Sequence, residues 1–219
     1  SMGWEGFSAV AFTFARKLHR ELKIPVGIIH SSFGGSAIHP WIPAKELSST
    51  PALAAYFNEW EKAEGEYRDR KKKDDKARHP FEGILDYNRL KPVSLYNAMI
   101  YPFVPYALKG ILWYQGESNV GEGETYTEKM KALISGWRRV FGQGEVPFYY
   151  AQLAPWNYGN ESSLPRMWAA QAACLSVPNT GMVTTIDVGD QTDIHPGRKR
   201  EVGERFALLA LAKTYDRKD

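Results

Sequence analysis

The chain alternates between stretches whose apolar positions recur at helical spacing and short runs that are apolar throughout, the pattern of an α/β domain on a mostly parallel sheet. From Ser8, suited to an N-cap, Val10, Phe14, Ala15 and Leu18 share one helical face until Pro25 stops the helix. Val26-Gly27-Ile28-Ile29 follows as an expected buried strand and empties into a loop holding Gly34 and Gly35. A second helical stretch runs from Ala44 to Arg70 and grades into the charge run Arg70–Lys76, the pattern of a solvated helix end. Residues 92–105 are irregular and aromatic and lead into a strand over 110–114, which ends at Gln115-Gly116-Glu117-Ser118-Asn119. A helix over 124–141, a strand over 147–153, a helix over 165–175 with Pro165 in its first turn, and a strand over 181–186 come next. The last strand leads into a loop bearing Asp187, Asp190, Asp193 and His195, and a closing helix spans 198–213. No repeat and no linker interrupts this order, so residues 1–219 are expected to form a single domain.

Candidate chemistry gathers in the loops that follow the strands. In an open parallel sheet, ligands bind outside the carboxyl ends of the strands, where loops and helix N-termini face one another. Gly34 and Gly35 lack the Cβ that would keep a ligand from their backbone N–H groups. Gln115, Glu117 and Asn119 crowd polar groups behind an aromatic strand, which costs desolvation unless they bond each other or a ligand. Asp193 and His195 stand just before a helix, and a histidine beside a carboxylate can act as a general base. A base, an amide donor and backbone N–H groups are the parts that acyl transfer needs. Each loop also has a plain structural role open to it, as a tight turn, a helix cap or a surface triplet.

Composition narrows the class. With 43% hydrophobic and 24% charged residues, disordered and fibrous chains are set aside. A net charge of +3, from 28 basic and 25 acidic residues, is too small to imply a polyanionic partner, so no nucleic acid is expected. The single cysteine, Cys174, rules out an intramolecular disulfide. No apolar run reaches the roughly 20 residues of a bilayer span, so no membrane partner is expected. The start of the chain lacks the basic-then-apolar pattern of a signal peptide, leaving a cytosolic protein or a leader outside this chain.

Four segments together carry a family likeness: Val26–Gly35, Leu95–Ile100, Trp113-Tyr114-Gln115-Gly116-Glu117-Ser118-Asn119 and Asp193-Ile194-His195-Pro196. In order and spacing they resemble the sialate O-acetylesterase branch of the SGNH hydrolases, over nearly the whole chain. The resemblance implies a three-layer α/β/α, flavodoxin-like fold and removal of acetyl groups from sugars, with no metal or organic cofactor. It makes His195 the base, Asp193 its orienting acid, with Asp190 or a backbone carbonyl as the alternatives, Asn119 a side-chain oxyanion donor, and Gly34 or Gly35 the backbone donor. Gln115 and Glu117 become substrate-orienting groups, and Trp41 and Trp156 faces for sugar stacking or core packing.

The likeness also marks a departure. The family's nucleophile lies in a Gly-Gln-Ser-Asn motif after the first strand, and no such motif occurs in this sequence. The resemblance therefore implies that the first strand, with its serine, belongs to an N-terminal segment of a longer parent, which would be periplasmic or secreted. Loss of a central strand leaves unpaired backbone groups costing about 1–3 kcal/mol each. Two other readings stand beside the esterase. Ser32 or Ser118 would complete a triad within this chain, although neither sits in a Gly-x-Ser-x-Gly elbow. Alternatively, a non-catalytic carbohydrate-binding module would keep the pocket without the nucleophile.

Overall fold

A computed structural model describes residues 6–80 and 91–217. Contacts group the described residues into two compact units, one holding residues 6–32, 108–115 and 145–217, the other residues 33–80, 91–107 and 116–144.

The first unit holds the sheet. Strands β1 (Ile111–Trp113), β2 (Phe148–Ala151) and β3 (Thr180–Val183) run parallel in that order, with Ile111 opposite Phe148 and Phe148 opposite Thr180. All four residues of β2 are buried, as expected where helices cover both faces of a parallel sheet. Helices α1 (Ala9–Leu22) and α6 (Lys199–Thr214) cover one face. There Leu18, Val202 and Phe206 pack with Tyr149, Ala151 and Val183, and the Tyr149 hydroxyl meets Thr214 Oγ1 at 2.8 Å. Helix α5 (Ser163–Ala173) serves the opposite face. The Tyr150 hydroxyl donates to the Gln171 carbonyl at 2.8 Å, and Gln171 Oε1 accepts the Leu153 N–H at 2.8 Å. Within this unit the order is helix, sheet, helix.

The expected elements meet the observed ones with local corrections. Ser8 caps α1 by accepting the Ala11 N–H, and the helix ends at Leu22, where Lys23 turns left-handed before Pro25. Val26–Ile29, expected as a buried strand, joins no ladder among the described residues, and none of the four is buried. Val26 is half-buried against the core of this unit and Ile29 is exposed, so the run keeps a strand's alternation without a neighbour. Among the described residues β2 is paired on both sides, and the outer edges of β1 and β3 carry no ladder partner.

The second unit is helical. The stretch expected from Ala44 to Arg70 is two helices, α2 (Ala44–Ser49) and α3 (Pro51–Lys73). Pro51 forces Thr50 out of helical geometry, to φ −86° and ψ 113°, and then serves as the first residue of α3. Helix α4 (Glu124–Phe141) follows a tight turn at Gly123 and closes at Gly142, which is left-handed at φ 67°. Buried Leu47, Leu53, Phe57, Tyr126, Met130 and Leu133 form its interior. Arg139 grips the buried Glu46 carboxylate with two bonds, of 2.6 and 3.0 Å, joining α4 to α2.

Two helical glycines should respond oppositely to the same change. A Cβ at Gly203 of α6 would press on Thr13 and the Val10 carbonyl of α1, whereas one at Gly65 of α3 meets nothing within 4 Å. Gly203→Ala is expected to cost about 1–3 kcal/mol through overpacking, and Gly65→Ala to gain about 0.5–1 kcal/mol, both read by thermal denaturation. Equal melting temperatures for the two variants would contradict the α1–α6 approach.

Candidate active site

In the second unit the glycine turn and the segment after Gly116 are joined. Gly34 and Gly35 form an exposed turn, with Gly35 at φ 69°, a conformation that a side chain resists. Residues Glu117–Glu122 wind into a short 3₁₀ helix. Ser118 Oγ donates to the Gly35 carbonyl at 2.9 Å, and the Ile38 N–H donates to Asn119 Oδ1 at 2.9 Å. Asn119 is 1% exposed, and its Nδ2 donates to Glu122 Oε1 at 2.8 Å. Glu122 in turn holds Lys129 of α4, whose Nζ lies 2.8 Å from both carboxylate oxygens. Glu117 turns back to accept the Gly116 N–H at 3.0 Å. Trp41 is 2% exposed, with its Nε1 donating to Ser36 Oγ and its carbonyl accepting from Trp137.

In the first unit, three parallel strands send their following segments out at one edge. Gln115 follows β1 and is half-buried; Trp156 follows β2, half-buried, with its ring 5.0 Å from that of Tyr158. The loop after β3 is fastened at its root. Arg205 of α6 donates to the Thr184 carbonyl at 2.7 Å and to both Asp187 carboxylate oxygens, at 2.7 and 2.5 Å. Thr185 Oγ1 donates to the Gln152 carbonyl at 2.8 Å. Gly189 passes so close to Pro155 that a Cβ there would collide with its ring, so the segments after β2 and β3 touch at a point only glycine allows. The hydrogen bonds from Arg205 hold the Asp187 carboxyl down at about 2, below its ordinary range.

At the tip of this loop, Asp193 and His195 are exposed. Asp193 Oδ1 accepts the main-chain N–H of His195 at 2.8 Å, while Asp190 Oδ1 accepts both the N–H and the hydroxyl of Thr192. Thr192 helps lower the Asp190 carboxyl below its usual value. Among the described residues no group of three histidine, cysteine or acidic side chains could hold a metal ion, and no helix is long and apolar enough to cross a membrane.

The carbohydrate esterase family of sialic acid-specific acetylesterases matches residues 4–212. The chain belongs to this family. Sialate O-acetylesterases of Mus musculus and Rattus norvegicus are 31% and 33% identical to it over 97% of its length. The chain spans less than half of those proteins, 43% and 44%. A crystal structure described as a novel carbohydrate acetylesterase from Xanthomonas citri superimposes with a TM-score of 0.77 at 33% identity, covering 97% of this chain and 42% of that one.

Set against this family, the expected site residues fall into two groups. Gly34, Gly35, Trp41, Glu117 and Asn119 lie in the second unit, where hydrogen bonds join Gly35, Ile38, Ser118 and Asn119. Gln115, Trp156, Asp193 and His195 lie in the first, where Asp193 and His195 share one turn. The buried Trp41 indole leaves no ring face for a sugar, so its place is in packing. Glu122 and Lys129 were not singled out from the sequence. Their signal was there: Lys129 sits among Tyr126, Met130 and Leu133 on the apolar face of α4, where a lysine stays only if it is paired.

The Arg205 clamp generates a test. A carboxyl depressed to about 2 stabilises the fold fully above its ordinary value near 3.8, and that contribution fades as pH falls through 2. Arg205→Met is therefore expected to speed hydrogen exchange across residues 184–189, by a ratio that stays constant from pH 5 to 8. A ratio that changed across that range would contradict the clamp.

Proposed function

We propose that the protein is a serine esterase that removes O-acetyl groups from sialic acid or other acetylated glycans, its nucleophile being a serine of an upstream segment of the longer protein. The observation that carries this reading is Asn119, a buried amide fixed at its oxygen by Ile38 and at its nitrogen by Glu122, within the family's Trp-Tyr-Gln-Gly-Glu-Ser-Asn motif. A preorganised amide of this kind is what an oxyanion donor requires, since it does not reorganise when charge develops.

In this mechanism the serine Oγ attacks the acetyl carbonyl carbon while His195 takes the hydroxyl proton. The carbonyl oxygen gains the negative charge, held by the Asn119 side chain and by the backbone N–H of Gly34 or Gly35. Collapse breaks the bond to the sugar oxygen, which receives the proton from His195. Water, deprotonated by the same histidine, then attacks the acyl-enzyme carbonyl; the bond to the serine Oγ breaks, acetate leaves, and His195 returns the proton to Oγ. Asp193 orients the imidazole, and Gln115, Glu117 and Trp156 contact the sugar. Family membership favours hydrolysis over a binding-only module.

In the full-length protein, His195→Ala is expected to lower p-nitrophenyl acetate turnover by about 10³-fold or more. Asp193→Asn tests the second role: an asparagine keeps the turn with the His195 N–H, so a purely local function predicts parental activity. Orientation of the imidazole instead predicts a loss of about 10²–10⁴-fold. Parental turnover in His195→Ala would end the reading.

One observation favours a second reading. Ser32 Oγ lies 2.7 Å from His30 Nε2, a serine–histidine pair within this chain, whereas Ser118 is engaged with the Gly35 carbonyl. Labelling of the isolated chain by a fluorophosphonate, lost in Ser32→Ala, would support it; no labelling is expected on the leading reading.

A further inference from the structure

Asn119 is the first member of a partly buried polar chain. In a 3₁₀ helix, residues three apart eclipse one another, which stacks Asn119 on Glu122 within Glu117–Glu122. The 2.8 Å bond from Asn119 Nδ2 takes up one of its two N–H groups and, with Oδ1 held by Ile38, fixes the plane of the amide. That bond alone carries a liability, because a carboxylate this close to a developing oxyanion repels it. Lys129 removes the liability. Its side chain is 9% exposed, its ammonium is 2.8 Å from both Glu122 oxygens, and it lies 5.8 Å from the centre of the Tyr56 ring. The cation is thus enclosed between a carboxylate and an aromatic face, where an ion pair is screened far less than in water. Burial, and secondarily the Glu122 charge, push the Tyr56 phenol up, so that group stays neutral beside the pair.

We propose that Glu122 and Lys129 are positioning residues for the oxyanion donor: Glu122 orients the Asn119 amide, and Lys129 cancels the negative charge that this orientation brings to the site. The proposal rests on the reading of Asn119 as the donor. It separates two functions, orientation and neutralisation, that a merely structural ion pair would not separate. Glu122→Gln keeps an acceptor for Asn119 and brings no negative charge toward the oxyanion. Lys129→Met keeps the acceptor but leaves the carboxylate uncompensated. The double variant removes that charge again.

The test is steady-state hydrolysis of p-nitrophenyl acetate by the full-length protein, with thermal melting run in parallel. Lys129→Met and Glu122→Ala are each expected to lower kcat about 10- to 100-fold with KM changed less than about twofold, the scale of a misplaced catalytic donor. Glu122→Gln should stay within about threefold of the parent, and Glu122→Gln/Lys129→Met should recover most of the activity lost in Lys129→Met. In an Asn119→Ala background, itself expected to be down about 10²–10³-fold, Glu122→Ala should cost nothing further. Parental kcat in both Glu122→Ala and Lys129→Met would overturn the proposal. So would a Glu122→Ala effect of undiminished size in the Asn119→Ala background, or a double variant no better than Lys129→Met. If Glu122→Ala does not fold, the Lys129→Met and double-variant comparison decides alone. Full activity in Asn119→Ala sinks the donor reading itself, an outcome distinct from an inactive Asn119→Ala beside an active Glu122→Ala.

Discussion

The hydrogen bond from the Ile38 N–H to Asn119 Oδ1 couples two loops 81 residues apart in sequence, and the chemistry assigned to the second unit depends on it. It is buried, so breaking it leaves a main-chain donor without water and carries the full desolvation penalty. It also dictates which way the Asn119 amide faces: with the oxygen accepting from Ile38, the amide nitrogen, its donor, is turned away from Ile38. The Ser118 bond to the Gly35 carbonyl adds a second tie between the same loops. Backbone turn and side-chain amide are thereby held as one rigid piece.

The loop with His195 is organised by different physics. Its root is held by charge and hydrogen bonds from α6, through Arg205, and by contact at Gly189. Its tip carries short bonds within the turn, among them those accepted by the Asp190 and Asp193 carboxylates and a main-chain bond from Asp193 to Asp190.

Much of this was legible in the sequence, for identifiable reasons. Helix α4 matched its expected limits because glycines bracket a strongly periodic face, and Ser8 marked the start of α1. The break at Thr50 was missed although Pro51 announces it, because the apolar period continues across the boundary. For Val26–Ile29 the apolar run told of neither burial nor pairing: none of the four residues is buried, and a ladder depends on a neighbour that local pattern does not describe. The motif residues Asn119, Asp193 and His195 stood out by type and spacing. The partners of Asn119 did not, since Glu122 and Lys129 become meaningful only when a 3₁₀ turn and a helix bring three side chains together. Trp41 shows the converse, an aromatic whose type fits a sugar but whose burial does not.

Strand β2 carries one more consequence. Its two adjacent tyrosines point to opposite faces, and each hydroxyl is spoken for by a different helix, Tyr149 by Thr214 and Tyr150 by Gln171. A slip of one residue along the ladder would turn each ring into the wrong layer and strand both hydroxyls in apolar surroundings at once. The pair acts as a two-sided key, so alignment of this short sheet is enforced by polar groups on both faces, where a purely aliphatic strand would tolerate sliding.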